Sequence, residues 1–259
     1  MAEYTAELVF VQNLAREAAA WAMQRAGQAK PEEKANKSYV TDLDRELEQL
    51  IRGRLASEYP DDLLTGEEYD PSGGGGPRRW SIDPIDGTGN LVHDLPLWAI
   101  SLGLIDAGEP VLGVIAIPPL RELYWAVRGR GAYRDGRRLH MSDKEIFHNQ
   151  DNVHVGTNAL RAIDARTVPG RLRDLGSACC ELAFLACNRL EACTFLGEHT
   201  HDLAAGAVIA AEAGAAFGTI DGRSLRLAEV VAETPVRTPT FIAAPQRLAF
   251  LMSHVQRLA

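Results

Sequence analysis

Apolar residues fall at helical spacing over residues 5–28, where Leu8, Val11, Leu14, Ala18, Trp21 and Ala22 share one face, and Pro31 lies just past the expected stop. A second helix is predicted after Thr41, with Leu43, Leu47, Leu50, Ile51 and Leu55 as its stripe. The run YDPSGGGGPRRW (69–80) then sets four glycines between two prolines and reads as a loop. No Gly-Lys-Ser/Thr follows it, which rules out a phosphate loop of the nucleotide-binding kind. From Trp80 the pattern changes to short strands, WSID, LWAISLGLI, VLGVIAI, ELYWAV and GAYRD, punctuated by Gly, Pro and Asp as in an antiparallel sheet. After VHVGT (153–157), helices are expected near 176–189, 202–214 and 245–257, with EACTFL, AAFGTI and TFIAA as strands between them. The expectation is a mixed α/β chain. Residues 1–150 form an N-terminal α+β half and residues 151–259 a C-terminal α/β half of one compact unit.

Composition narrows the function. In 259 residues, 27 Lys and Arg stand against 35 Asp and Glu, a formal charge of −8. Such a surface repels a phosphate backbone, so a nucleic-acid partner or a metal-dependent nuclease is disfavoured. No stretch reaches the ~18 apolar residues needed to span a bilayer, and MAEYTAELVF lacks the pattern of a signal peptide, so a cytoplasmic protein with no membrane partner is expected. Cys187, Cys193, His199 and His201 could be drawn together as a zinc site. No C-x-x-C pair supports it, and the four cysteines read better as small buried hydrophobes.

The candidate chemistry lies in Asp83-Pro84-Ile85-Asp86-Gly87-Thr88-Gly89-Asn90. Pro84 denies Asp83 an easy helical conformation, so the chain is expected to leave the strand in an extended turn that brings Asp83 and Asp86 together. Two carboxylates and the Ile85 carbonyl suit a hard divalent cation, and amides at a helix start suit a phosphate. The same residues also read as a plain Asp-Gly turn. Three further places carry similar double readings. Glu67 and Glu68 are either functional or a solvated pair, Thr41 and Asp44 also form a capping box, and Asp202 also caps a helix of small residues. Such a helix can approach its neighbours closely and hold Asp202 in a fixed position. His93, His199 and His201 lie near these segments and read as structural hydrogen-bonding groups.

Together, VTDLDRELE, GEE, DPIDGTGN, LGSA and HDLAAG…EAG, in that order from about Lys34 to Gly214, resemble the inositol monophosphatase family of Mg²⁺-dependent, lithium-sensitive phosphatases. The resemblance implies a layered α/β/α/β/α sandwich of the inositol monophosphatase and fructose-1,6-bisphosphatase type. It also implies two to three Mg²⁺ ions (Mn²⁺ as a substitute), a homodimer and a small phosphorylated alcohol as substrate. It assigns Glu67, Asp83 and the Ile85 carbonyl to a first metal, Asp83, Asp86 and Asp202 to a second, and Glu67 with water to a third. Thr88 paired with Asp44 matches the couple that activates the attacking water. Gly87 and Thr88 match phosphate contacts beside Asp86 and Asp202, and Gly176, Ser177 and Ala178 match the alcohol side. Five carboxylates (Asp44, Glu67, Asp83, Asp86, Asp202) in one cavity would repel each other and a phosphate unless cations reversed the field.

The departures fall mostly on the alcohol side. His201 replaces the usual Trp, Asn188 a usual Gly, Leu91 a usual Phe, and Phe195 an acidic residue that contacts inositol hydroxyls; Glu198 is an alternative source of that contact, which spacing alone does not place there. On that reading Phe195→Glu moves preference towards inositol phosphates. Inositol-1-phosphate or a related sugar or polyol phosphate leads, because GNLVHDLPLWAISLGL follows that branch of the family. Histidinol-phosphate, fructose-1,6-bisphosphate and nucleotide 3′-phosphate come next. A non-catalytic regulatory protein on the same scaffold would be marked by a lost metal ligand, and none is lost.

Overall fold

A computed structural model of the chain describes residues 3–33, 39–144, 146–232 and 234–258. The Lys34 start of the family resemblance lies outside the described residues. Helix α1 (Thr5–Arg25) buries Leu8, Val11, Leu14, Ala15, Ala18 and Ala22, while Trp21 is half-buried with the Arg25 guanidinium over its ring. Strands β1 (Pro31–Glu33) and β2 (Tyr39–Thr41) pair antiparallel and lead into α2 (Asp42–Glu58), which opens on a capping box between Thr41 and Asp44.

The first large sheet holds β3 (Leu63–Gly66), β4 (Ser72–Gly73), β5 (Arg78–Asp86), β6 (Ala99–Asp106), β7 (Glu109–Ile117), β8 (Glu122–Val127), β9 (Ala132–Arg134) and β10 (Arg137–Arg138), with α3 (Thr88–Val92) between β5 and β6. Its order is β10-β9-β8-β7-β6-β5-β3-β4, antiparallel except for the parallel pair β3 and β5. The second sheet is built from β11 (Asn152–His154), β12 (Arg171–Arg173), β13 (Ala192–Phe195), β14 (Ala216–Thr219), β15 (Ser224–Leu225) and β16 (Thr240–Ala243), in the order β12-β11-β13-β16-β14-β15. Helices α4 (Ala178–Ala186), α5 (Thr200–Ala213), α6 (Leu227–Ala232) and α7 (Pro245–His254) complete the chain. None of the described helices is long and apolar enough to cross a membrane.

Three apolar clusters show the layering. Helices α1 and α2 pack on one face of the first sheet, against Ile82, Leu102, Leu104, Leu112 and Val114. Helices α4 and α5 fill the space between its other face and the second sheet, which contributes Phe195, Phe217 and Ile242. Leu248 and Leu251 of α7 cover the far face of the second sheet. The architecture is therefore the expected α/β/α/β/α sandwich.

The central helix α5 lies unusually close to the first sheet. A Cβ built on Gly113 would sit 2.2 Å from the Ala205 carbonyl oxygen. A sheet glycine opposite an alanine row leaves no side chain between helix and strand backbones, and burial rather than a strong amphipathic stripe holds this helix.

The Asp83 segment differs from the expected turn. Strand β5 does not end at Asp83 but runs on to Asp86. Asp83 pairs with Ser101 and Asp86 with Ala99, so three steps along β5 match two along β6, and the register shifts between them. In a regular strand, residues three apart face opposite sides. One extra residue at a bulge turns Asp86 to the side of Asp83, and Pro84, which has no N–H for the ladder, sits inside that bulge.

Candidate active site

A cavity of about 270 Å³ is lined by Tyr39, Glu67, Asp83, Ile85, Asp86, Gly87, Thr88, Gly89 and Asp202. Four elements meet there: the residues after β3 bring Glu67, the bulged end of β5 brings Asp83 to Asp86, the start of α3 brings Thr88, and the start of α5 brings Asp202. Carboxylate oxygens of Asp83, Asp86 and Asp202 lie within 4.8 Å of one another. A second such group joins Glu67, Asp83 and a His201 nitrogen.

Asp44 stands behind this wall, fully buried. Its Oδ2 accepts from the Thr41 amide at 2.9 Å and from the Thr41 hydroxyl, and its Oδ1 lies 2.9 Å from Thr88 Oγ1. The single Thr88 proton is also within reach of the Ile85 carbonyl oxygen at 3.0 Å. The capping box and the Thr88 contact coexist, so the structural and functional readings of Asp44 use different oxygens of one carboxylate.

Asp86 is clamped through Oδ2, which accepts from Ser177 Oγ and from the Cys179 amide, each at 2.6 Å. Ser177 also caps α4, accepting from the Cys180 amide at 3.2 Å. Gly176, Ser177 and Ala178 line a neighbouring cavity of about 440 Å³ that shares Asp86 and Asp202 with the first and adds His154, Asp174, Glu181 and Glu198. Asn90 Nδ2 donates to the Leu97 and Leu175 carbonyls and ties α3 to this segment. Asp202 accepts from the His199 amide in a capping box at the start of α5.

The electrostatics suit a cation. Asp83 is 1% exposed, and neither of its carboxylate oxygens has a hydrogen-bond partner. Burial first, then the charges of Glu67, Asp86, Asp202 and Asp44, push its carboxyl well above the usual range. Burial, then Asp202, raises Asp86 to about 8 despite the Ser177 and Cys179 bonds. Asp44 and Asp202 are raised too, chiefly by burial. Orphaned buried oxygens are rare in folded proteins and costly. A hard divalent ion that accepts oxygen ligands removes both the orphaning and the repulsion, so these residues fit a metal. Among the described residues no cysteine belongs to a metal-compatible group; Cys179, Cys180 and Cys193 are buried hydrophobes.

Several residues near the cavity carry no plain functional signal in the sequence. His201 reaches the acidic group, although it reads in sequence as a structural histidine. Glu48 and Arg52 brace the Glu67 segment, and the i,i+4 spacing of the pair was the available signal. Phe195 is 1% exposed, lies in the central core beside the His154 ring and is not part of the cavity wall, whereas Glu198 is. Asn188 has φ 61°, a left-handed conformation that Asn tolerates where Gly is usual, and its side chain bridges the Ser142 amide and the His140 carbonyl.

The sequence profile of the inositol monophosphatase family matches residues 4–257. A fructose-1,6-bisphosphatase/inositol-1-monophosphatase of Aquifex aeolicus is 30% identical over 212 residues, covering 78% of this chain and 79% of that protein. A histidinol-phosphatase of Streptomyces coelicolor is 33% identical over 241 residues, covering 86% and 90%. The solved structure of the Thermotoga maritima IMPase superposes with a TM-score of 0.84 at 27% identity, over 96% of each chain. These relatives are phosphatases with different named substrates on one metal-dependent scaffold. A match over nearly the whole chain, on a fold whose cavity gathers the acidic residues of the family motifs, gives one conclusion: the chain belongs to the inositol monophosphatase family.

Proposed function

We propose that this phosphatase hydrolyses the phosphate monoester of a small polyol or sugar, with inositol-1-phosphate as the first candidate, in a Mg²⁺-dependent reaction. Histidinol-phosphate, fructose-1,6-bisphosphate and a nucleotide 3′-phosphate are the competing substrates. The observation that carries the reading is Asp83, buried with both oxygens unpartnered among Glu67, Asp86 and Asp202.

Glu67, Asp83 and the Ile85 carbonyl would hold one cation, Asp83, Asp86 and Asp202 a second, and Glu67 with water a third. Mn²⁺ is the expected substitute for Mg²⁺. When bound, these ions supply positive charge for the phosphate and for the departing alcohol oxygen, and acidify water. The Thr88 hydroxyl, held toward Asp44, orients the attacking water, and Asp44 takes up the proton. Burial raises the basicity of that carboxylate. Water adds in line to phosphorus as the bond to the alcohol oxygen breaks, the departing oxygen takes a proton from a second water, Asp44 returns its proton to solvent, and phosphate and the neutral alcohol leave. Amides at the start of α3, at Gly87 and Thr88, meet the phosphate, because the first helical N–H groups have no partner within the helix. Ser177 and the Cys179 amide hold Asp86 in place.

The alcohol occupies the larger cavity beside Gly176, Ser177 and Ala178. Glu198 supplies the acidic contact that Phe195 cannot, since its buried Oε2 has no partner in the protein. Asp44, Glu67, Asp83 and Asp86 come from residues 1–150 and Asp202 from residues 151–259, so both halves form one catalytic unit. A homodimer and a cytoplasmic location complete the reading.

Phosphate release from inositol-1-phosphate, fructose-1,6-bisphosphate, histidinol phosphate, adenosine 3′,5′-bisphosphate and β-glycerophosphate, each with Mg²⁺, with EDTA and with added Li⁺, tests it. Mg²⁺-dependent release abolished by EDTA and reduced by Li⁺, ranked with inositol-1-phosphate first, is expected. A folded protein that binds Mg²⁺ and releases no phosphate from any of them would overturn it in favour of a binding role.

A further inference from the structure

The acidic cluster contains one group that hard-cation chemistry does not require. A His201 nitrogen, a Glu67 oxygen and an Asp83 oxygen lie within 4.8 Å of one another, close enough for a single ion to touch all three. His201 Nε2 also stands 3.5 Å from Asp202 Oδ1, so the imidazole faces both acidic groups of the cavity. Its orientation is fixed by construction. His201 is the second residue of α5, immediately before Asp202, so the helix start that aims the carboxylate also aims the ring. The ring stacks on His199 with centroids 5.4 Å apart and planes 1° apart, and His199 Nδ1 lies 3.2 Å from Thr234 Oγ1. A nitrogen and two carboxylates would be no more than a charged cluster without Asp83, whose buried oxygens have no partner and need a cation.

We propose that His201 is a nitrogen ligand of the ion held by Glu67 and Asp83, and that it moves the preference of this site from Mg²⁺ towards Mn²⁺. The inference rests on the metal-site reading above and adds a ligand to it. Mg²⁺ favours oxygen donors in a strict octahedron and sheds water reluctantly, whereas Mn²⁺ stands above it in affinity for mixed nitrogen and oxygen sites. Replacing the family's usual indole by an imidazole changes the donor set without touching a carboxylate.

Mn²⁺ alone is the probe, with the full chain and no substrate. Electron paramagnetic resonance follows the loss of the free-ion signal on titration, and competition with Mg²⁺ gives the ratio of affinities. Spin-echo modulation reports a directly bound ¹⁴N. The expected result is ¹⁴N modulation in the wild type and in His199→Gln but not in His201→Gln. The Mn²⁺ to Mg²⁺ affinity ratio should fall at least tenfold in both His201→Gln and His201→Trp. Unchanged far-ultraviolet circular dichroism establishes that the variants fold. Mn²⁺ bound without ¹⁴N modulation in the wild type, or an unchanged affinity ratio in both His201 variants, would overturn the proposal and leave the carboxylate site standing. Mn²⁺ binding as tight in Asp83→Asn as in the wild type would instead remove the metal-site reading beneath it.

Discussion

The backbone amide of Glu68 donates to Glu48 Oε2 across 2.8 Å, and Glu48 is completely buried. The other oxygen of Glu48 accepts from Arg52 Nε at 2.7 Å, and Arg52 in turn donates to the Tyr69 carbonyl and to Ser72 Oγ, each at 2.9 Å. A Cβ on Gly66 would lie 2.1 Å from Glu48 Oε1, so the carboxylate is seated against the backbone just before Glu67. Helix α2 therefore carries Asp44 in its first turn and, one turn later, the brace for the Glu67 segment.

Glu48→Gln should raise the Mg²⁺ concentration for half-saturation about tenfold, since an amide NH₂ must face either the Glu68 amide or Arg52 as donor against donor. Glu48→Ala should also cost about 3–5 kcal/mol of stability by leaving the largely buried Arg52 charge unpaired. Calorimetric Mg²⁺ titration and denaturant melts check the two effects separately. An unchanged Mg²⁺ isotherm in Glu48→Gln would show that the brace does not position Glu67.

Asp83→Asn and Asp86→Asn should each abolish turnover while leaving the metal-free fold as stable as the wild type or more so. Each removes a buried carboxyl that, without metal, is either held protonated or repelled by its neighbours when ionised. The diagnostic measurement is the melting temperature with and without Mg²⁺. The wild type should gain stability on adding Mg²⁺ through binding to the folded state, and the variants should gain much less.

Metal-free protein should lose stability as pH rises from about 4 to 8. The Asp86 carboxyl moves from 3.8 to about 8 on folding, through burial first and the Asp202 charge second. Burial likewise raises Glu198 to about 7. In that window the folded chain holds more protons than the unfolded chain, so the unfolding free energy falls with pH, by up to about 1.4 kcal/mol per pH unit for each proton. The contribution is fully present below the unfolded pKa and is lost as pH passes the folded one. Saturating Mg²⁺ replaces the protons with a fixed cation and should flatten the profile. A metal-free melting temperature that climbs between pH 5 and 8 would contradict the buried-carboxylate account.

The chemistry was legible in the sequence because several short motifs stand in one order along it. DPIDGTGN, GEE and HDLAAG are short segments that each also read as a plain turn, pair or cap, and their order along the chain carried the family resemblance, which with the strand and helix periods also gave the layered fold. What escaped was non-local. The shift that turns Asp86 to the side of Asp83 depends on how β6 pairs with β5. The clamp on Asp86 comes from Ser177 and Cys179, about 90 residues away in sequence. His201 reads in sequence as a structural hydrogen-bonding group, and only the meeting of α5 with β5 and the residues after β3 brings it to Glu67 and Asp83.

Phe195→Glu illustrates the same point with a revised outcome. A pocket-facing phenylalanine would make this substitution a change of specificity, but the side chain packs in the central core, with its ring 4.9 Å from that of His154. A carboxylate there would be buried and would stand near Glu181, which already pairs with His154. The expected result is a loss of more than about 3 kcal/mol without any gain towards inositol phosphates. Glu198→Ala, in contrast, should raise KM for a polyhydroxyl substrate about tenfold with little loss of stability, because Glu198 lines the cavity. Melting curves together with kcat and KM on inositol-1-phosphate separate the two residues, and a stable Phe195→Glu variant with altered substrate ranking would restore the pocket-facing reading.

The helix that carries Asp202 is seated against a glycine that lies outside the acidic cavity. Gly113 on β7 leaves room for the Ala205 carbonyl three residues beyond Asp202, and an added methyl would sit 2.2 Å from that oxygen. Backbone cannot rotate aside as a flexible side chain can, so α5 must lift or β7 must bend. Overpacking of this kind costs about 3 kcal/mol. If α5 yields, Asp202 and His201 move with it, while Asp44, Thr88 and Asp83 stay on α2, α3 and β5. Gly113→Ala should therefore lower the melting temperature and also weaken the later, Asp202-dependent step of a Mg²⁺ titration, leaving the first step nearly intact. A destabilised variant with a wild-type Mg²⁺ isotherm would mean that β7 bends instead, and that the close seat of α5 serves stability alone.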